Sequence, residues 1–240
     1  MMRTVCVTGA ARGLGLALTA QMLKRGYLVY AAGLDVEDSE GIRMLAEGYP
    51  DHLRAIELDI ADDLSVALFT ETLKLDTNHL DMLINNAAIL GSITDHIRGP
   101  LNMAEMAEVF NVNTLGTLRV THSLLPLLLQ GQVKLIVDIS SEAGSIEQCS
   151  RDGWYAYCMS KAALNMQARL VHNGLKDEGG QVMLVHPGWV QSYMRGELDV
   201  AADLTPEQSA QHIAVLIDRH EQFKGDQPAY VDYKGEKLPW

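Results

Sequence analysis

Short apolar runs alternate with longer segments of helical periodicity along the chain. The runs are rich in β-branched residues and end at glycine or polar residues, which is typical of strands. Strands are predicted at residues 4–9, 27–32, 53–59, 80–88, 133–141, 181–188 and 228–233. Helices are predicted at residues 14–24, 39–47, 62–75, 103–128, 154–176 and 206–219. This alternation predicts an α/β fold with a mostly parallel sheet and helices on both faces. No linker-like segment interrupts it, so residues 1–240 are expected to form one domain.

Charge and composition exclude several classes of partner. Acidic residues outnumber basic ones by 31 to 19, and the formal charge is −12. Nucleic-acid and anionic membrane surfaces need clustered basic residues, so neither partner is expected. The apolar stretches are too short to span a bilayer, and the first strand leaves no room for a signal peptide. Three cysteines without a C-x-x-C spacing indicate neither disulfides nor a metal site. A cytoplasmic protein is the expectation.

A glycine-rich turn, TGAARGLG at residues 8–15, joins the first strand to the first helix. Such a turn lets the backbone approach a diphosphate, and the helix N-terminus supplies N–H donors. The spacing T-G-x-x-x-G-x-G, through Gly9, Gly13 and Gly15, differs from both G-x-G-x-x-G and the phosphate-binding loop that ends in Lys-Ser/Thr. An ordinary glycine-rich turn is the alternative. The position of this TGAARGLG turn between a strand and a periodic helix favours dinucleotide binding over that alternative.

The stretch WYAYCMSKAAL, at residues 154–164, carries two tyrosines and a lysine. On a helix, Tyr157 and Lys161 share one face because they lie four residues apart. A nearby ammonium favours the phenolate and lowers a tyrosine pKa from its usual value of about 10, which suits a general acid/base. Tyr155 has Met159 at the corresponding position and does not fit. Taken alone, such a pair is more often a packed ring beside a solvated amine.

Six motifs occur in order along the chain: TGxxxGxG, NNAA, NVNTLG, ISS, YCMSK and PGWV. Together they resemble the short-chain dehydrogenase/reductase family over essentially the whole sequence. The ending YVDYKGEKLPW and the compact size are similar to its sniffer and C-factor-like carbonyl reductases. The resemblance implies a Rossmann-type, doubly wound, seven-stranded sheet and an NAD or NADP cofactor. It also implies hydride transfer between nicotinamide and a small carbonyl or secondary-alcohol substrate.

The resemblance further implies a catalytic tetrad of Asn113, Ser141, Tyr157 and Lys161. Tyr157 would exchange the proton, and Ser141 would hold the substrate oxygen at the end of a strand. Lys161 would bond the nicotinamide ribose, and Asn113 would anchor a water leading from Lys161 to solvent. Ser140 is the competing serine.

The resemblance also assigns cofactor contacts. The glycine turn would hold the diphosphate, the NNAA residues would pass beneath the adenosine ribose, and the end of the third strand would contact adenine. The PGWV residues would flank the nicotinamide. The residues assigned in this way are Gly9, Arg12, Gly13, Leu14, Gly15, Asp59, Ile60, Asn86, Ala87, Pro187, Gly188 and Val190.

The signals for cofactor preference conflict. Asp35 lies about 20 residues after the glycine turn, where an acid can bond the ribose 2′-hydroxyl of NAD. Gly33 and Leu34 occupy the family's usual specificity positions and offer neither an acid nor an arginine. Arg12 can instead meet the 2′-phosphate of NADP. The balance leans slightly to NADP.

Aromatic residues near the motifs are expected to wall the substrate pocket: Trp154, Tyr155, Trp189 and Tyr193. Residues 191–203 would form a lid. The two long helices are apolar enough to build a homodimer or homotetramer, as in relatives. A sugar-nucleotide epimerase or dehydratase is disfavoured, because only about fifty residues follow PGWV. A cofactor-sensing or signalling protein with little turnover remains the alternative.

Overall fold

Seven parallel strands form one sheet in the computed structural model, which describes residues 2–240. The strand order is β3-β2-β1-β4-β5-β6-β7. The strands are β1 (Thr4–Thr8), β2 (Leu28–Gly33), β3 (Leu53–Glu57), β4 (Met82–Asn85), β5 (Leu135–Ile139), β6 (Gln181–His186) and β7 (Ala229–Asp232). Every neighbouring pair is parallel. The predicted doubly wound fold and all seven predicted strands are confirmed.

Seven α-helices connect these strands within the described residues, 2–240. They are α1 (Gly13–Lys24), α2 (Glu40–Gly48), α3 (Asp63–Asp76), α4 (Met103–Phe110), α5 (Thr117–Gln130), α6 (Tyr155–Leu175) and α7 (Pro206–Asp218). The helix predicted at residues 103–128 is α4 and α5 joined through a π-helical turn, Asn111–Gly116. Such turns widen a helix locally and often mark functional sites. A short 3₁₀ helix, Glu142–Gly144, follows β5.

The two faces of the sheet carry separate apolar cores. Leu18 and Met22 of α1 pack with Ile213 of α7 on one face. Phe69 of α3 and Leu124 of α5 pack on the other. Strands covered on both sides read as continuous apolar runs, and the five residues of β1 and of β5 are all buried. The short apolar runs of the sequence are therefore explained by burial on two faces.

The order of the strands reverses between β1 and β4, since β1 pairs with β2 on one side and with β4 on the other. Open α/β sheets bind ligands in the crevice that forms at such a point, beyond the carboxyl ends of the strands. The glycine turn follows β1 and the NNAA motif follows β4. The fold thus brings two of the six motifs to the mouth of one crevice.

None of the helices described for residues 2–240 is both long enough and apolar enough to cross a membrane.

Candidate active site

One cleft of about 1430 Å³ opens at the carboxyl ends of the strands. It runs from the glycine turn, past the ends of β3 and β4, to α6 and the segment after β6. All but one of the predicted site residues line it: Gly9, Arg12, Gly13, Leu14, Gly15, Asp35, Asp59, Ile60, Asn86, Ala87, Ser141, Tyr157, Lys161, Pro187, Gly188 and Val190. Asn113 is the exception, and it is buried.

Backbone packing in the glycine turn is too close for side chains. Gly9 has a φ of +66°, and a Cβ there would lie 2.9 Å from the Ala87 Cα. A Cβ on Gly15 would lie 2.0 Å from the Gly9 carbonyl oxygen. Asn86 ties the turn to β4, because its Nδ2 donates to the Thr8 carbonyl at 3.0 Å. The turn therefore presents bare backbone at the start of α1.

Tyr157, Ser141 and Lys161 meet in the floor of the cleft. The side chains of Tyr157 and Ser141 both line this part of the cleft, and Ser141 is near enough to influence the ionisation of the phenol. The Lys161 Nζ lies 5.6 Å from the centre of the Tyr157 ring. It donates to the Ile139 carbonyl at 2.8 Å, and the residue is only 2% exposed. The structure thus brings together three of the four predicted catalytic residues.

Burial dominates the ionisation of these groups. It raises the pKa of Tyr157 to about 12, although the neighbouring Ser141 side chain acts in the opposite direction. It lowers the pKa of Lys161 to about 8, although the nearby charge of Asp138 raises it. The prediction that Lys161 lowers the pKa of Tyr157 is therefore wrong for the protein without a cofactor. The reason is that desolvation disfavours the buried phenolate more strongly than the neighbouring Ser141 side chain favours it.

Asn113 lies in the π-helical turn and is 1% exposed. Its Oδ1 accepts from the Ile89 backbone N–H at 2.9 Å, and its Nδ2 donates to the Ile89 carbonyl at 2.8 Å. The same Nδ2 lies 3.0 Å from the Ser160 Oγ on α6. Asn113 thus links the loop after β4 to the helix that carries Lys161.

A tyrosine that sequence reasoning did not identify supports Ser141. The Tyr230 hydroxyl, on β7, donates to the Ser141 carbonyl at 2.6 Å, and Tyr230 is 3% exposed. The Ser141 Oγ accepts from the Ala143 N–H at 3.1 Å. Contacts on two sides therefore fix the backbone and the side chain of Ser141.

At the outer end of the cleft, the residues assigned to adenosine are more open. Arg12 is exposed, and its guanidinium carbon lies 5.9 Å from the centre of the Tyr193 ring. Asp35 is exposed and has a φ of +53°. The Asp59 Oδ1 accepts from the Ala61 N–H at 2.8 Å, which closes a local turn. Asp59 therefore has a structural task besides its place in the cleft.

The PGWV segment is held in place after β6. The Pro187 carbonyl accepts from the Ser209 hydroxyl at 2.7 Å, and Gly188 has a φ of +83°. A parallel bridge pairs Val190 with Leu204 through the backbone groups of the residues on either side of Val190. In such a bridge, the N–H of Val190 itself is left for another partner.

A family model described as short chain dehydrogenase matches residues 3–203. The chain belongs to the short-chain dehydrogenase family. C-signal of Myxococcus xanthus is 39% identical over 165 residues, which are 68% of this chain and 95% of that protein. Membership makes the chain an oxidoreductase.

Solved structures of carbonyl reductases are similar over the full length. The NADPH-bound carbonyl reductase from chicken fatty liver has 27% identity and a TM-score of 0.86, covering 100% of this chain and 99% of that one. The carbonyl reductase Sniffer of Drosophila melanogaster has a TM-score of 0.88 over all of both chains. At 24% identity, this similarity shows a shared fold and nothing more. The predicted likeness to sniffer and C-factor-like members of the short-chain dehydrogenase family is confirmed.

The substrate end of this short-chain dehydrogenase has a wall that the motifs did not reveal. Trp154, predicted to border the pocket, has two arginines near its ring: the guanidinium carbons of Arg151 and Arg195 lie 5.1 and 5.8 Å from the ring centre. Arg151 pairs with Glu142 through two bonds of 3.0 and 2.6 Å. Trp154 also has a φ of +62°, which is rare for a bulky residue. Glu142 and Arg195 lie 12 and 41 residues from Trp154 in the sequence, so no local motif marks this wall.

Trp189 and Tyr193 line the cleft as predicted, and residues 192–195 and Asp199 of the predicted lid segment also line it. The Trp189 Nε1 donates to Asp199 at 3.0 Å, so the segment is tied to the PGWV motif. The placement of Tyr155 in the pocket wall is wrong. Tyr155 instead packs against a small apolar cluster formed by Met106, Val109 and Ala156. Residues two positions apart on a helix are separated by about 200° around its axis, so Tyr155 and Tyr157 point to different sides.

Proposed function

We propose that this oxidoreductase transfers a hydride between a nicotinamide cofactor and a carbonyl or secondary-alcohol substrate, with Tyr157 as the general acid/base. The observation that carries the proposal is the Tyr157 phenol beside the Ser141 hydroxyl, in a cleft that also holds Lys161. A reacting oxygen between the two hydroxyls would accept a proton from one and a hydrogen bond from the other.

The cleft fits a dinucleotide. The glycine turn leaves bare backbone where a diphosphate needs close approach, and added Cβ atoms at Gly9 and Gly15 would collide with neighbouring backbone. The cleft continues from this turn to Tyr157 and Lys161, so one extended molecule can reach both ends. Asn86 and Ala87 lie along the path, and the free N–H of Val190 suits a carboxamide. When bound, the nicotinamide supplies or accepts the hydride.

The protein groups handle the proton. Because burial raises the pKa of Tyr157 to about 12, the phenol is protonated at neutral pH and ready to donate to a carbonyl oxygen. Donation leaves a buried phenolate, which needs a positive charge nearby. The Lys161 ammonium supplies that charge from the same helix face, and it keeps its proton below about pH 8. Ser141 orients the substrate oxygen, because its own backbone is anchored by Tyr230.

The proposed cofactor is NADP in preference to NAD. Arg12 stands exposed on the cleft wall, where its guanidinium can reach a 2′-phosphate. The NADPH bound to the chicken carbonyl reductase supports the same choice. Asp35 lines the same end and would repel a phosphate, so the expected preference is modest.

A thermal-shift comparison of NAD and NADP tests the proposal, followed by a panel of carbonyl substrates monitored by NADPH absorbance. We expect a larger rise in melting temperature with NADP, and oxidation of NADPH with at least one carbonyl compound. No shift with either cofactor would overturn the proposal.

We also propose that residues 1–240 act as one cofactor-binding domain.

A second candidate rests on the relative named C-signal. A cofactor-sensing or signalling protein on the same fold would bind the dinucleotide and depend little on turnover. Replacing Tyr157 by Phe separates the two functions, because a sensor would keep its biological activity and a reductase would lose it.

Association into a homodimer or homotetramer is also proposed. Apolar side chains of the two long helices remain exposed in the single chain: Leu118 at 42%, Met166 at 62% and Leu170 at 64%. Burial of this face against a second copy would remove apolar surface from water. Sedimentation at micromolar concentration checks the proposal, and a monomer would contradict it.

A further inference from the structure

A buried carboxylate lies under the cleft floor, next to the residue that binds the catalytic lysine. Asp138 is the fourth residue of β5 and is 2% exposed. Alternate residues of a strand share a face, so Asp138 points to the same side as Ser140. Ser140 donates to Asn165 of α6 at 2.6 Å, which shows that α6 covers this face. Asp138 therefore lies between the sheet and the helix that carries Lys161.

The carboxylate of Asp138 is held by one neutral donor. The Asn85 Nδ2 on β4 donates to the Asp138 Oδ1 at 2.8 Å and to the Thr121 Oγ1 of α5 at 3.1 Å. The Asn85 Oδ1 is buried without a partner. An amide turned with its N–H groups toward a carboxylate favours the charged form of that carboxylate. In this orientation the Asn85 oxygen has no hydrogen-bond partner, which is energetically unfavourable.

Lys161 is equally buried and makes its hydrogen bond to Ile139, the residue after Asp138. A buried ammonium with a single carbonyl acceptor needs a compensating negative charge. Asp138 is the acid whose charge acts on Lys161. Tyr157 lies on the same helix, and Glu142 beyond the end of β5 is already paired with Arg151. The negative charge of Asp138 therefore compensates the positive charge of the buried Lys161 ammonium.

We propose that Asp138 is a positioning residue that keeps Lys161 protonated under the cleft, and that Asn85 holds Asp138 for this task. The role in turnover rests on the proposed function. Burial raises the pKa of Asp138 to about 6 and lowers that of Lys161 to about 8. Both groups are therefore charged between about pH 6 and pH 8, where the ammonium can stabilise the phenolate of Tyr157.

NMR of cofactor-free protein labelled with ¹³C at the lysine Cε tests the proposal without any activity. The Lys161 resonance is assigned by its loss in Lys161→Arg. We expect a midpoint near pH 8 in the wild type and a midpoint roughly one pH unit lower in Asp138→Asn. Asp138→Ser provides a second neutral variant should the first fold poorly. An unchanged or higher midpoint in a folded neutral variant would overturn the proposal.

Thr121→Val is the matched control. It removes the other hydrogen bond of the same Asn85 amide but changes no charge, so the Lys161 midpoint should stay at the wild-type value. A shift as large as that of Asp138→Asn would mean that the network acts structurally, and would contradict the charge argument.

The dependence of kcat/KM on pH gives the second readout. In carbonyl reduction, the alkaline loss of rate should begin roughly one pH unit lower in Asp138→Asn than in the wild type. The same limb in both proteins would contradict the link to turnover. A wild type without turnover would instead refute the proposed function, while the NMR titration would still decide the role of Asp138.

Discussion

Replacement of Gly15 by alanine probes the cofactor end of the cleft. The added Cβ would lie 2.0 Å from the Gly9 carbonyl oxygen and 2.7 Å from the Asn86 Nδ2. Real Cβ atoms do not approach backbone closer than about 3 Å, so the turn must move by roughly 1 Å or more. The displaced atoms are the ones that tie the end of β1 to the end of β4. The substitution therefore disturbs the diphosphate cradle directly.

The magnitude follows from the cost of overpacking. Insertion of a methyl group into a packed region costs about 1–3 kcal/mol, and contact with backbone places Gly15→Ala at about 3 kcal/mol. For a chain of this size, 1 kcal/mol corresponds to roughly 2–4 °C, so the melting temperature should fall by about 6–12 °C. NADP binding, followed by fluorescence titration, should weaken by at least about tenfold.

Gly174→Ala is the matched control. Gly174 lies within α6, and nothing lies within 4 Å of an added Cβ. Alanine is favoured over glycine inside a helix by about 0.5–1 kcal/mol, so this variant should be slightly more stable and bind NADP normally. A Gly15→Ala protein with wild-type stability and affinity would refute the packing argument for the turn.

Three further predictions test other parts of the site. Arg12→Ala should weaken NADP binding by about tenfold or more and leave NAD binding nearly unchanged, as measured by titration; equal losses would refute its role at a 2′-phosphate. Tyr230→Phe should lower kcat with an unchanged cofactor Kd and cost about 1 kcal/mol in urea unfolding, because it frees the Ser141 carbonyl; normal kcat would contradict the positioning. Burial lowers the pKa of His186 below its unfolded value of about 6.5, so the stability it contributes is complete above that pH and is lost on acidification. His186→Gln should reduce the fall in unfolding free energy between pH 7 and pH 5, and an identical slope would contradict this assignment.

The fold could be predicted because the sequence signal is strong and repetitive. Buried parallel strands give apolar runs, and amphipathic helices give the intervening periodicity. The turn Asn111–Gly116 escaped prediction, since a single wider turn leaves the apolar pattern of the two flanking helices almost unchanged. It is visible only from the backbone hydrogen bonds, and it carries Asn113.

The site was predictable where a motif ends a strand. The glycine turn after β1 and the Asn86 segment after β4 meet because parallel strands end at one edge of the sheet. Contacts between distant segments could not be predicted, and Tyr230 reaches Ser141 from 89 residues away. Asp138 is similar, because its link to Lys161 depends on how α6 lies across the sheet. The raised pKa of Tyr157 could not be predicted either, because it depends on the burial of the phenol, which residue spacing does not reveal.

Turnover of Tyr157→Phe is the most direct test of the proposed chemistry. Loss of the phenol should reduce kcat for carbonyl reduction by about 10²–10⁴-fold, which corresponds to roughly 3–5 kcal/mol in the barrier. NADP affinity should stay at the wild-type value, because phenylalanine keeps the ring. Tyr155→Phe is the matched control on the other side of the same helix and should retain full activity. We predict this difference between the two tyrosines; equal activity of Tyr157→Phe and the wild type would contradict the role of Tyr157 as general acid/base.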